Sequence, residues 1–310
     1  MDEEEMEERG EGEEEGEEEE VEEAVLTKEI AGESLSLLAK TGNGMAHAYV
    51  RMDLRDKKLT DIGILSCYVH VRYLDISGNN LTDMSSLNAL PQLLSVRADK
   101  NKITSPKLQE MQYLQILSLA GNRLISTGGI AHPLLETLNL SSNQITELAD
   151  LDDRHLPSVR SLDLHGNQLS SVAGIQLPSL QKLYIASNKL SSLEGLSSLR
   201  QLTTLHARDN QVASLEGLTP SMAALQYLNL RSNHVADNAE VVKLRPLPLL
   251  RGLVLADCPI SEIDDYRLEV LVALPKLERL DKEEFTEDER ADSEEVSQER
   301  QAAAAAEEDA

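Results

Sequence analysis

LETLNLSSNQI (Leu135–Ile145), LQKLYIASNKL (Leu180–Leu190) and LQYLNLRSNHV (Leu225–Val235) are three copies of one pattern, L-x-x-L-x-L-x-x-N-x-L. The Asn position sets the register. It falls at Asn79, Asn101, Asn122, Asn143, Asn167, Asn188, Asn210 and Asn233, with gaps of 22, 21, 21, 24, 21, 22 and 23 residues. Lys57 stands 22 residues before the first and Cys258 stands 25 after the last. About ten repeats therefore follow one another, and the two outermost lack the Asn, as terminal repeats often do.

This is the leucine-rich repeat, and it predicts an α/β repeat fold: a solenoid of short, ~22-residue repeats with a parallel concave sheet and helical caps. The fourth and sixth positions, such as Leu138 and Leu140 or Leu162 and Leu164, alternate inward along a short strand. One repeat cannot bury them alone, and stacking closes a continuous core. A second series, such as Leu190, Leu193, Leu196 and Leu199, lines the convex side through 3₁₀ or extended segments. The Asn amide carries donors and acceptors and bridges the turn that follows each strand.

The net charge of −26 is unevenly spread. Residues 1–23 hold 16 acids and one Arg, and residues 283–310 hold 12 acids and two Arg, which leaves the middle at −1. The expected organisation is a disordered acidic tail (1–23), an N-terminal helical cap (24–47), the solenoid (48–263), a C-terminal cap (264–284) and a disordered acidic, Ala-rich tail (285–310). Within the first cap a helix from Thr27 to Lys40 is expected, with Ile30, Leu35 and Leu38 on one side. In the second, Leu268, Leu271, Leu274, Leu277 and Leu280 recur every three residues and close the core. The last residues, QAAAAAEEDA, offer no apolar stripe to dock. Two cysteines without paired caps, no leader and no ~20-residue apolar run read as an intracellular, reduced, soluble chain. Cys258, in the last Asn slot, reads as structural.

The third, fifth and seventh strand positions face outward on the concave side. They begin Arg51, Asp53, Arg55; Tyr73, Asp75, Ser77; Ser95, Arg97, Asp99, pass through a bland middle, and change character at Ser161, Asp163, His165; Lys182, Tyr184, Ala186; Thr204, His206, Arg208; Tyr227, Asn229, Arg231. Tyr and Arg are enriched at binding hot spots, and the chain has only seven Tyr and one Phe. The candidate partner-binding set is therefore His165, Lys182, Tyr184, His206, Arg208, Tyr227, Asn229 and Arg231. No catalytic, cofactor or metal site is expected. His165 and His206 lie two strands, about 9–10 Å, apart, too far to share one metal ion easily, and no phosphate loop or Cys-x-x-Cys is present. The neutral core carries no basic stripe for nucleic acid.

Tyr266, Arg267, Leu274, Pro275, Leu277, Leu280 and Asp281 match the cap of intracellular leucine-rich repeat proteins of ciliary and nuclear families. A closer resemblance runs from about Leu35 to Phe285. LSLLAKTGNGMAHAYV (Leu35–Val50), YLDISGNNLTD (Tyr73–Asp83), YLNLRSNHVA (Tyr227–Ala236) and LPKLERLDKEEF (Leu274–Phe285) resemble a family of leucine-rich repeat proteins associated with radial spokes. That resemblance, and nothing in the spacing, implies a non-catalytic component of the axoneme of motile cilia and sperm flagella, within the cytoplasm and cytoskeleton, with spoke-head proteins as partners. Two alternatives remain at this point: a regulatory subunit holding a protein phosphatase in its concave face, and an acidic nuclear chaperone.

Overall fold

A computed structural model describes residues 23–41 and 44–308. Thirteen strands form one sheet in chain order. They are β1 (Leu35–Lys40), β2 (His47–Asp53), β3 (Tyr73–Asp75), β4 (Ser95–Arg97), β5 (Ile116–Ser118), β6 (Thr137–Asn139), β7 (Ser161–Asp163), β8 (Lys182–Tyr184), β9 (Thr204–His206), β10 (Tyr227–Asn229), β11 (Gly252–Val254), β12 (Arg279–Leu280) and β13 (Glu283–Glu284). Pairing is parallel from β2 to β12 and antiparallel at both ends. The register aligns one leucine column, Leu138 on Leu162 on Leu183 on Leu205 on Leu228 on Leu253, and each of these is fully buried. Short 3₁₀ turns, such as Ser85–Ala89 and Leu196–Ser198, return the chain along the convex side. The longest repeat makes room there for one short helix, α2 (Asn238–Val242).

Behind each strand the Asn side chains form a ladder whose rungs share acceptors. Asn167 Nδ2 donates to Leu164 O of its own repeat and to Leu140 O of the preceding one, both at 3.0 Å. Asn188 Nδ2 donates to Leu164 O as well, at 3.1 Å. Each inner carbonyl thus receives two amides. Each Asn Oδ1 accepts one buried backbone N–H of the preceding repeat, Ile145 N in the case of Asn167. The same pattern runs from Asn79 through Asn101, Asn122, Asn143, Asn188 and Asn210 to Asn233, all at most 9% exposed. Cys258 extends it: its thiol, 3.2 Å from Leu230 O, takes the place of the amide. Burial pushes that thiol's pKa up.

The caps depart from expectation at both ends. The N-terminal helix does not run from Thr27 to Lys40. It is α1 (Lys28–Glu33), with Thr27 Oγ1 accepting from Ile30 N and Ser34 Oγ donating back to Ile30 O. Residues 35–40 are instead β1, pairing with β2. The first repeat's strand leaves backbone groups open along its outer edge, and an extended segment satisfies them where a helix cannot. Leu35 packs on the core, whereas Leu37 and Leu38 are more than half exposed.

At the other end, residues 285–310 are not a disordered tail over their described length. After β13, Phe285 is buried, and α4 (Glu287–Glu308) packs on α3 (Tyr266–Ala273). The contacts are largely polar, which is why an apolar stripe is not needed. Arg267 Nε meets Glu289 Oε1 at 2.6 Å, Arg300 Nη2 meets Glu269 Oε1 at 2.5 Å, and Arg290 Nη2 donates to Leu277 O at 2.9 Å. Thr286 and Glu289 form a reciprocal cap on the first turn. In the C-terminal cap, Leu271, Leu274, Leu277 and Leu280 are buried, and Leu268 is half-buried. Tyr266 Oη donates to Asp281 Oδ2 at 2.9 Å, while Asp281 Oδ1 accepts from Leu255 N and Ala256 N. The Tyr and Asp of the cap motif are thus one structural unit. The expected acidic tail at 1–23 lies outside the described residues, except for Glu23.

Candidate concave interface

The parallel register places the fifth-position residues of β8 and β9 side by side, Tyr184 against His206. Their rings stack at 5.0 Å between centroids with planes 16° apart. Tyr227 belongs to the neighbouring column on β10, opposite Thr204, yet its ring leans back to within 5.2 Å of His206. Room for that tilt comes from Gly252 on β11, where an added Cβ would sit 2.9 Å from Tyr227 Cδ2. The three rings form one half-buried aromatic stack across three strands, tilted by 44° at its Tyr227 end. Burial, helped by the nearby Arg208 charge and opposed by Asp163, holds the His206 pKa below the ordinary imidazole value. The imidazole in the stack is therefore neutral at pH 7. Burial also raises the Tyr227 phenol.

The remaining candidates divide. Lys182, Arg208 and Arg231 are exposed around the stack. Arg231 Nε is fixed by Asp257 Oδ2 at 2.6 Å, and Arg208 lies 3.6 Å from Asp209. His165 Nδ1 hydrogen-bonds Asp163 Oδ1 at 2.8 Å beside the stack. Asn229 is only 8% exposed, and its Oδ1 accepts from Arg231 N. It shapes the turn leaving β10 rather than offering a free polar group. Asp53, Asp75, Asn139 and Asp163 make the same bond two residues ahead. Asp257 and Gly252 were not among the sequence candidates. Gly252 had a signal, a missing side chain in an otherwise filled column. Asp257 had none, because it pairs with Arg231 across a turn. Among the described residues, no group of three or more His, Cys, Asp and Glu is arranged to hold a metal ion, and no helix is long and apolar enough to cross a membrane.

Parallel strands stacked at about 22-residue intervals, with the asparagine ladder behind them, define the chain as a leucine-rich repeat protein. A leucine-rich repeat family model matches residues 154–310, and a second matches 69–83 and 131–147. The chain is 52% identical to the leucine-rich repeat-containing protein 23 of Bos taurus over 273 residues, 88% of this chain and 80% of that one. The Homo sapiens protein of that name gives the same identity and coverage, and that of Mus musculus is 49% identical. The chain belongs to the leucine-rich repeat-containing protein 23 family. A solved leucine-rich repeat protein of Leptospira interrogans shares the fold, with a TM-score of 0.55 and 23% identity over 75% of this chain and 71% of that one.

Proposed function

We propose that this protein is a non-catalytic scaffold of the axonemal radial spoke in motile cilia and sperm flagella, and that it docks a spoke-head protein on the C-terminal half of its concave sheet. The family relationship supports a protein-interaction role. The spoke assignment rests on the resemblance to radial-spoke-associated proteins. The observation that carries the docking site is the Tyr184–His206–Tyr227 stack. Stacked rings offer large contact area with few rotamers left to freeze on binding. Arg208 and Arg231 add directed hydrogen bonds at its rim.

The test is co-assembly of the purified full chain with purified spoke-head proteins. Replacing Tyr227 and Arg231 together by Ala removes a ring from the stack and the Asp257-anchored guanidinium, and it should weaken capture by ~2 kcal/mol or more. Neither residue contributes to the leucine core, so circular dichroism should be unchanged. A double variant that folds and binds like wild type refutes this docking face. Tagged protein that washes out of detergent-extracted multiciliated cells refutes the axonemal assignment.

A further inference from the structure

The opposite end of the concave face carries a different chemistry. Between Arg51 and Arg123 the chain has ten Lys and Arg against seven Asp and Glu, a net +3 within a chain of net −26. On β2 to β5 a hollow of about 370 Å³ is lined by Arg51, Arg55, Tyr73, Asp75, Arg97 and Ile116, among others. Arg55 is committed there. Its guanidinium grips Asp53 in two bonds of 2.9 and 2.6 Å and approaches Asp75 at 3.7 Å. Arg51 lies over the Tyr73 ring, 5.7 Å from its centroid. Neither Arg51 nor Arg97 has a carboxylate within ion-pairing distance among the described residues.

Where these strands end, the turns continue the same sign. Lys58, Lys100 and Arg123 are exposed and Lys102 is half-exposed. The backbone stacks them rung on rung, with Lys102 N donating to Leu81 O and Arg123 N to Ile103 O, both at 2.9 Å. None of the four makes an ion pair among the described residues. The equivalents of Lys100 and Lys102 near the other end are Asp209 and Gln211, Ser232 and His234, then Asp257 and Pro259. The turn edge therefore passes from basic to neutral or acidic along the solenoid.

We propose that this N-terminal corner is a second docking site, for an acidic segment of a partner protein. The segment would set carboxylates against Arg51 and Arg97 in the hollow and leave over Lys58, Lys100 and Lys102. Charge and dimensions select this occupant. The cations span four repeats, three spacings of ~4.8 Å or roughly 14 Å. That exceeds the reach of a single small anion and suits an extended chain carrying several carboxylates. Six cations without an ion-pair partner among the described residues also leave a potential that a chain of opposite sign neutralises. The proposal stands apart from the aromatic stack and does not depend on the spoke assignment.

The experiment uses the full chain and a fluorescently labelled, glutamate-rich peptide of about 15 residues, whose extended reach of about 50 Å covers the patch with residues to spare on either side. Anisotropy should show saturable binding at low ionic strength that weakens by about tenfold or more at several hundred millimolar salt. Lys58→Glu, Lys100→Glu and Lys102→Glu together should weaken it by at least about tenfold, while Lys276→Glu, on the exposed C-terminal cap, should stay within about twofold. Circular dichroism checks the fold of each variant. If the triple variant is misfolded, Arg51→Gln with Arg97→Gln decides, with a loss of about threefold or more expected. Absence of saturable binding overturns the proposal. So does a folded variant that binds like wild type, an equal loss in Lys276→Glu, or tighter binding of a single-stranded oligonucleotide of the same charge. Self-association of the chain that the triple variant abolishes would also overturn it, by making the occupant a second copy.

Discussion

The shared acceptors of the asparagine ladder make a quantitative prediction about neighbouring rungs. Asn167→Ala removes one acceptor oxygen and the two N–H donors of one amide group from the buried turn. The acceptor held Ile145 N at 3.0 Å, and that N–H is left with nothing to bond. The donors are less costly to lose. Leu140 O keeps the Asn143 amide and Leu164 O keeps the Asn188 amide. One orphaned N–H sets the expected loss at about 1–3 kcal/mol. Asn188→Ala alone should behave similarly, leaving Leu169 N unbonded. Together the two changes also strip Leu164 O of both its donors. The double variant should therefore exceed the sum of the singles by about 1 kcal/mol or more. Asn122 and Asn188 share no carbonyl, so that pair should be additive within about 0.5 kcal/mol. The assay is urea unfolding of the full chain followed by circular dichroism, with Asn80→Ala, next to the ladder but outside it, as the mild reference. Additive behaviour of the 167/188 pair, or equal coupling in the 122/188 pair, would refute shared acceptors as the source of cooperation between repeats.

Other measurements probe features elsewhere in the molecule. His132 is fully buried, and its Nδ1 accepts from Met111 N, so the proton sits on Nε2, which has no partner. Burial lowers its pKa from 6.5 to about 4. Protonation therefore favours the unfolded chain, and about 3 kcal/mol of stability should drain away as pH falls from 6.5 to 4. His132→Leu should flatten that part of the stability–pH curve; an unchanged slope would exclude His132 as its origin. Cys67 is exposed and Cys258 buried with a raised pKa, so maleimide should label the first rapidly and the second only on unfolding. Comparable rates in the native protein, read by mass spectrometry, would contradict the thiol's place in the ladder. Truncation after Thr286 removes α4 and should cost about 1–3 kcal/mol at low salt, and less at high salt, because ion pairs hold the helix. A truncated chain as stable as the full one at low salt would show that α4 is dispensable to the cap.

How much of this was legible in the sequence depended on whether the signal was periodic. The strands and their outward columns follow from a pattern repeated over about ten copies, and the columns counted from Asn79 to Asn233 are those the register aligns. The caps are single events and have no repetition to average over. At Leu35–Lys40 the series Ile30, Leu35 and Leu38 behind the Thr27 cap suggested a continuing helix, but the open edge of β2 imposed an extended partner. The acidic C-terminal run hid a legible start signal, Thr286 with Glu289 three residues on, beneath its low-complexity composition. In the concave patch the stacking of Tyr184 on His206 follows from neighbouring columns. The lean of Tyr227 out of its own column does not, since it depends on the space above Gly252.

The two antiparallel ends of the sheet make the molecule a gauge of fixed length. From β2 to β12 there are ten spacings, roughly 48 Å along the arc. Because β1 and β13 reverse direction, neither end presents the template a further parallel repeat would need. The basic corner near β3 and the aromatic stack near β9 are six spacings apart, roughly 29 Å. A helical partner touching both would need about 19 residues between its anchor points. Adding or removing one repeat would shift that distance by about 4.8 Å, close to one helical turn, so a helical partner would reach the second anchor nearly in phase, about 40° off.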